Sequence, residues 1–100
     1  MKYVCNSFSL QMLNGDCNLE VKEINEEEFN KVKGDCVSCV GHEDTATVLG
    51  VPFNRVSISL DTNDILYVAQ LVGGRLPEGA TELPEGFKFK FLKVKVEGDN

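Results

Sequence analysis

The chain carries a single histidine, His42, within Val40-Gly41-His42-Glu43-Asp44-Thr45-Ala46-Thr47-Val48. Before it, Cys36-Val37-Ser38-Cys39-Val40 is β-branched and suits a strand; after it, acidic and hydroxyl residues precede Ala46 and Leu49, with Gly50 and Pro52 as stop signals. A strand, a glycine turn and a short helix would set His42 between a strand's carboxyl end and a helix's amino end, where backbone N–H groups lack partners and an anion is welcome. That corner suits phosphate chemistry. Imidazole changes charge near neutrality and can hand a proton to a departing oxygen. Arg75 and Glu78, in Arg75-Leu76-Pro77-Glu78-Gly79, complete the set. A guanidinium can fork two hydrogen bonds onto a phosphate, and a carboxylate can orient that guanidinium.

The four cysteines give less. Residues three apart on a strand point to opposite faces, so Cys36 and Cys39 would not chelate one ion, and the second cysteine pair of a zinc ribbon is absent. Cys5 and Cys17 stand alone. No metal site and no cofactor are expected, and the thiols should be mostly buried small hydrophobes.

The elements that must position these groups follow from local pattern. Lys2 to Asn6 reads as a first strand, and Leu10, Met12 and Leu13 supply one helical turn before the Asn14-Gly15-Asp16 breaker. Asn18 to Ile24 alternates, as a strand near an edge does. In Asn25 to Gly34, Asn25 can cap a helix with Glu28 three residues on, Ile24 and Phe29 occupy the staple positions, acids fill the first turn and lysines the last. Asn54 to Leu60 alternates cleanly, and with the turn Asp61 to Asp64 it predicts a hairpin whose second arm is Ile65 to Val72. That arm is apolar on both faces and should be central, with Gln70 as its polar intrusion near the end. Residues 73 to 86, with four glycines and two prolines, form a long loop of the kind that lines sites. In Phe87 to Val96 the phenylalanines share one phase and Leu92, Val94 and Val96 the other, which predicts a β-bulge at Phe91-Leu92.

One hundred residues with 42% hydrophobic and 26% charged content make one α/β domain, residues 1–100, with a mixed sheet of about five strands and short flanking helices. A core this modest favours a two-fold dimer. A net charge of −6 argues against binding duplex nucleic acid. Neither a membrane span nor a signal peptide is visible, so a cytoplasmic protein is expected.

Asn6-Ser7-Phe8-Ser9-Leu10-Gln11-Met12-Leu13, Gly41-His42-Glu43-Asp44-Thr45, Asn54-Arg55-Val56, Gln70 and Arg75-Leu76-Pro77-Glu78-Gly79 occur in that order. In these motifs the chain resembles the viral type III anti-CRISPR ring nucleases, a family with relatives in phages and other mobile elements. The resemblance implies a homodimer that binds cyclic tetra-adenylate at its interface and cuts it, without metal, into short linear adenylates. It further implies His42, Arg75 and Glu78 as the cleavage groups, with Asn6, Ser9, Gln11, Gly41, Asp44, Thr45, Arg55 and Gln70 on the ligand. Three departures stand out: Gln11 replaces a frequent Asn, Gly73-Gly74 carries an extra residue, and the segment after Gly79 is too short for a helix that many relatives have there.

The residues are consistent with such chemistry. A ribose 2′-OH is a built-in nucleophile, so cleavage to a 2′,3′-cyclic phosphate needs in-line positioning, charge stabilisation and a proton for the departing 5′-oxygen. The competing expectation is a module that sequesters a cyclic nucleotide, or a viral interaction protein, without turnover.

Overall fold

A strand with apolar residues on both faces requires cover on both, and that requirement shapes the molecule. The computed structural model describes residues 1–98. It contains strands β1 (Lys2–Cys5), β2 (Asn18–Ile24), β3 (Val37–Ser38), β4 (Ile65–Val72) and β5 (Lys88–Glu97), and helices α1 (Glu26–Val32) and α2 (Glu43–Leu49). All five strands join one mixed sheet in the order β2-β5-β4-β1-β3, with β4 at its centre. β1 is parallel to both β4 and β3, whereas β5 is antiparallel to β4 and β2.

Alternation along β4 sends Tyr67 and Ala69 to one face and Leu66 and Val68 to the other, and all four are buried. The first face packs against Phe29 of α1 and Ala46 and Leu49 of α2. The second is covered by Leu60 with Met12, Leu13 and Ile58. α1 forms for the reasons legible in its sequence: the Asn25 side chain accepts the Glu28 N–H at 2.8 Å, three glutamates occupy the first turn, and Ile24 and Phe29 are buried in one cluster. Phe29 meets the Phe91 ring at a centroid distance of 4.6 Å, fastening α1 to β5. The helix gives way to a 3-10 turn over Lys33–Asp35, which carries Gly34.

Two expectations are corrected. Asn54 to Leu60 is not a strand of a hairpin, because β1 and β5 already occupy both edges of β4. The segment makes only isolated contacts, with Asn54 N–H bonding the Val40 carbonyl and Leu60 N–H the Met12 carbonyl. Nor is there a bulge in β5, whose register runs unbroken from Lys88 to Glu97 against its neighbours. Phe89 and Phe91 enter the core on the helical side, and Leu92, Val94 and Val96 enter the core on the other. Each face is apolar over half the strand because each is covered over a different half. Shorter limits apply to two more strands: β1 ends at Cys5, and the Cys36 to Val40 run pairs as a strand only at Val37–Ser38.

Asp64, buried in the turn before β4, accepts the N-terminal ammonium at 2.8 Å and the Asp61 N–H at 2.9 Å. Burial pushes its carboxyl pKa up, but these two donors and the positive charge outweigh burial and leave it below the ordinary 3.8. A carboxylate so depressed adds stability above its unfolded value and loses that contribution as pH falls through the folded one. Asp64→Asn should therefore cost about 1–3 kcal/mol at neutral pH. Melting curves should show the gap to wild type narrowing below about pH 4; a gap unchanged in acid would assign the effect to packing alone.

Candidate functional site

β3, β1 and β4 run parallel, so their carboxyl ends share one edge of the sheet, the place where α/β folds gather ligands. β1 runs out into Asn6, β3 into Val40-Gly41-His42, and β4 into Gly73-Gly74-Arg75. A cleft of about 460 Å³ opens at this edge, lined by Asn6, His42, Asp44, Thr45, Arg75 and Glu78, with Leu71 and Leu76 as its apolar wall.

His42 is the N-cap of α2, with extended backbone at φ −125° and ψ 118°. Its Nδ1 accepts the Thr45 N–H at 3.3 Å and lies 3.2 Å from the Thr45 hydroxyl. A ring accepting at Nδ1 carries its proton on Nε2, which leaves that N–H as the donor for a ligand. When the ring gains a second proton at Nδ1, the Thr45 hydroxyl can turn to accept it. A ring protonated at Nδ1 no longer accepts the Thr45 N–H, so the capping bond belongs to the neutral ring. Gly50, at φ 73°, ends the helix by donating to the Ala46 and Thr47 carbonyls.

The turn before His42 is clamped from beneath. The buried Ser38 hydroxyl donates to the Pro52 carbonyl and accepts the Val40 N–H, while the Asn54 side chain donates to the Ser38 carbonyl at 2.9 Å. Across the cleft, the 73 to 86 loop is pinched at its base. Gly73 sits at φ 121°, and a Cβ there would fall 3.0 Å from the Gly86 carbonyl oxygen and 3.2 Å from Phe87 Cα. The Asp44 carboxylate accepts the Gly79 N–H at 3.3 Å, tying the first turn of α2 to the loop that carries Arg75 and Glu78. Among the described residues neither Arg75 nor Glu78 enters an ion pair, and both are exposed. Among the described residues no helix follows Gly79.

A model of the STIV B116-like family matches residues 2–91. The chain belongs to that family. Its fold is that of B116 of Sulfolobus turreted icosahedral virus, with a TM-score of 0.76 and 24% sequence identity over 94% of this chain and 97% of that one. No curated protein matches it in sequence.

Not every candidate residue reaches the cleft of this family member. Ser9 and Gln11 line a second cavity, of about 320 Å³, on the other face of the sheet with Met12 and Ile58. Asn6, at the strand end, borders both cavities. Ser9 also has a local task, since its hydroxyl accepts the Gln11 N–H and caps the short 3-10 turn Leu10–Met12. Arg55 lies against Gly41, its Cγ 3.5 Å from where a Cβ would stand, and lines neither cavity. Gln70 is exposed on β4 opposite Lys90 and is likewise apart. The Ser38 and Asn54 clamp, with Leu71 and Leu76, was not legible as part of the site. Hydrogen bonds to carbonyls and two ordinary leucines carry no sequence signature, although the asparagine opens one of the motifs.

Cys36 packs in the helical-side core and Cys39 in the other, as opposite-facing residues do. Burial pushes the thiols of Cys5, Cys36 and Cys39 up, away from the nucleophilic thiolate. Among the described residues no three His, Cys, Asp or Glu side chains gather as a metal site would require.

Gly73→Ala should strain the loop base by about 1–3 kcal/mol, through its positive φ and the approach of Gly86. Hydrogen exchange at the Gly79 and Ala80 amides should quicken while that of β4 does not. Unchanged exchange across the loop would show that the pinch does not hold it.

Proposed function

We propose that this protein is a metal-independent ring nuclease: a two-fold dimer that binds cyclic tetra-adenylate and cuts it to linear di-adenylates bearing 2′,3′-cyclic phosphates. The reading gives it the anti-CRISPR role of erasing a type III second messenger in the host cytoplasm. One observation carries the reading. His42, from the turn after β3, and Arg75 and Glu78, from the loop after β4, are far apart in sequence, yet they line one cleft with Asn6 and Thr45 at the carboxyl ends of three parallel strands. The ordered motifs of the resemblance supply the substrate class.

In this mechanism a ribose 2′-oxygen attacks the adjacent phosphorus in line, the new O–P bond forms as the bond to the 5′-oxygen breaks, and the 2′-OH proton leaves to water. His42, doubly protonated, delivers the Nε2 proton to the 5′-oxygen while the Thr45 hydroxyl takes the Nδ1–H. Arg75, free of any carboxylate partner among the described residues, can meet the phosphoryl oxygens with two donors as charge builds on them. Glu78, unpaired among the described residues, would orient Arg75 or a ribose hydroxyl once the ligand is bound. Asn6 and the first turn of α2 position the sugar-phosphate. A cleft open to one side cannot surround a ring of four nucleotides, and a ring with two-fold symmetry is matched by two such clefts facing each other.

The second reading, sequestration without turnover, has its own support in the capping bond of His42, which gives the imidazole a task in a pure binder. Substitution separates the two roles. His42→Asn keeps a side chain able to cap α2 but no proton donor of suitable acidity, so stability and ligand binding should hold. Single-turnover cleavage of labelled cyclic tetra-adenylate in EDTA should fall by about 10²-fold or more. His42→Ala should lose the same activity and also about 0.5–2 kcal/mol of stability. Arg75→Ala should weaken binding as well as cleavage, since the guanidinium meets ground state and transition state alike. Full cleavage by His42→Asn would remove the histidine from the chemistry, and binding by wild type with no cleavage in EDTA would favour sequestration.

A further inference from the structure

Two cysteines stand side by side where β1 and β3 leave the sheet. Val4 and Ser38 are register partners in this parallel pair, and the Cys39 N–H donates to the Val4 carbonyl at 2.8 Å, so Cys5 faces Cys39 one step further on. Backbones of neighbouring strands lie about 4.8 Å apart, within the Cα separations that a disulfide spans. Both side chains pack on the same face of the sheet in one cluster, and the Cys5 thiol donates to the Cys39 carbonyl at 3.5 Å. Cys36 packs on the opposite face, and Cys17 precedes β2. Neither Cys5 nor Cys39 is sealed in: they are 3% and 7% exposed, yet both line the cavity bordered by Asn6, Ser9 and Gln11.

The strand that Cys39 follows is weakly held. β3 has two residues, lies at the edge of the sheet and pairs with β1 alone. Cys39 stands three residues before His42 and Cys5 directly precedes Asn6, so the two strand ends carry two walls of the cleft. We propose that Cys5 and Cys39 are a modification site, closed to a disulfide by exchange with a low-molecular-weight disulfide, and that the bond staples β3 to β1 beneath the His42 corner. The Cys39 thiolate attacks one sulfur of the small disulfide and expels a thiolate, which takes up a proton. The Cys5 thiolate then attacks the Cys39 sulfur and expels the second. One S–S bond breaks and one forms, while two protons and two electrons pass from the protein to the oxidant, which leaves as two thiols.

Burial pushes both thiols up, Cys5 further by the Cys39 thiol beside it. Few thiolates form at neutral pH, so closure is slow there and quickens as pH rises. The same burial denies the reduced pair the thiolate stabilisation that makes a disulfide easy to reduce, so the closed bond holds. Stapling asks nothing of the nuclease reading and stands or falls apart from it.

The test is to incubate folded wild type with oxidised glutathione at about pH 9, beside a sample kept in dithiothreitol. Thiols counted after denaturation should fall from four to two, and peptide mapping should join Cys5 to Cys39. Closing a loop across 34 residues should raise Tm by about 10 °C or more, reversibly on reduction. Hydrogen exchange at the Cys39 and His42 amides should slow by about tenfold. The double variant Cys17→Ser/Cys36→Ser, which leaves the pair intact, should form the same bond. Four free thiols after treatment that fully oxidises the denatured chain would overturn the site. So would a bond to Cys17 or Cys36, a bond between two copies, or glutathione left on Cys39 with Cys5 still free. A Cys5–Cys39 bond that leaves Tm and the exchange at Cys39 and His42 unchanged would overturn the staple.

Discussion

β4 has neither a free edge nor, over most of its length, a wet face, and the molecule is arranged to satisfy it. Its backbone bonds β1 on one side and β5 on the other, and its side chains must be covered above and below. The two short helices serve one face. On the other the chain uses irregular segments, the 3-10 turn near Met12 and the extended stretch ending at Leu60. A hundred-residue chain has few elements to spend on two layers, and this division lets a small protein bury a central strand. Because β1 and β3 run parallel to β4, the same arrangement delivers three strand ends to one edge.

The site at that edge is built from weak individual contacts that constrain one another. His42 caps α2 through one ring nitrogen, so the bond that starts the helix also orients the imidazole. Ser38 and Asn54 hold the turn from below. Asp44 reaches across to Gly79, so the loop bearing Arg75 and Glu78 is attached to the helix His42 begins. The loop has only its pinched base and that bond besides its packing, which leaves it among the least stable parts of the fold and free to adjust to an occupant.

Charge selects what this edge can hold. The chain is acidic overall, with a net charge of −6, so an anion is not drawn by any general field. Under the proposed function Arg75, which lines the cleft, would attract it locally. A long duplex would need a continuous basic face, which a chain of this net charge does not favour.

Much of this was written in local pattern. Asn25, Glu28 and Phe29 specified α1, because caps and staples act within a few residues. The two-faced apolar run specified β4 as central, and Gly41-His42-Glu43 marked the strand-to-helix corner correctly. Where the sequence misled, the deciding contacts were distant. The alternation of Asn54 to Leu60 signals a strand, but pairing depends on which edges remain, and β1, sixty residues before β4, had taken the one a hairpin needs. The double phase of β5 suggested a bulge only if one face is buried; tertiary packing covers both faces, each over a different half. Likewise the types of His42, Arg75 and Glu78 suggested a site for phosphate chemistry, but that these three line one cleft, and that Ser9, Gln11, Arg55 and Gln70 do not, is decided by the tertiary structure. Local residues choose helices, turns and chemistry because those interactions span a turn or two. Which of them become neighbours is settled by competition for sheet edges and buried faces, and that competition involves the whole chain.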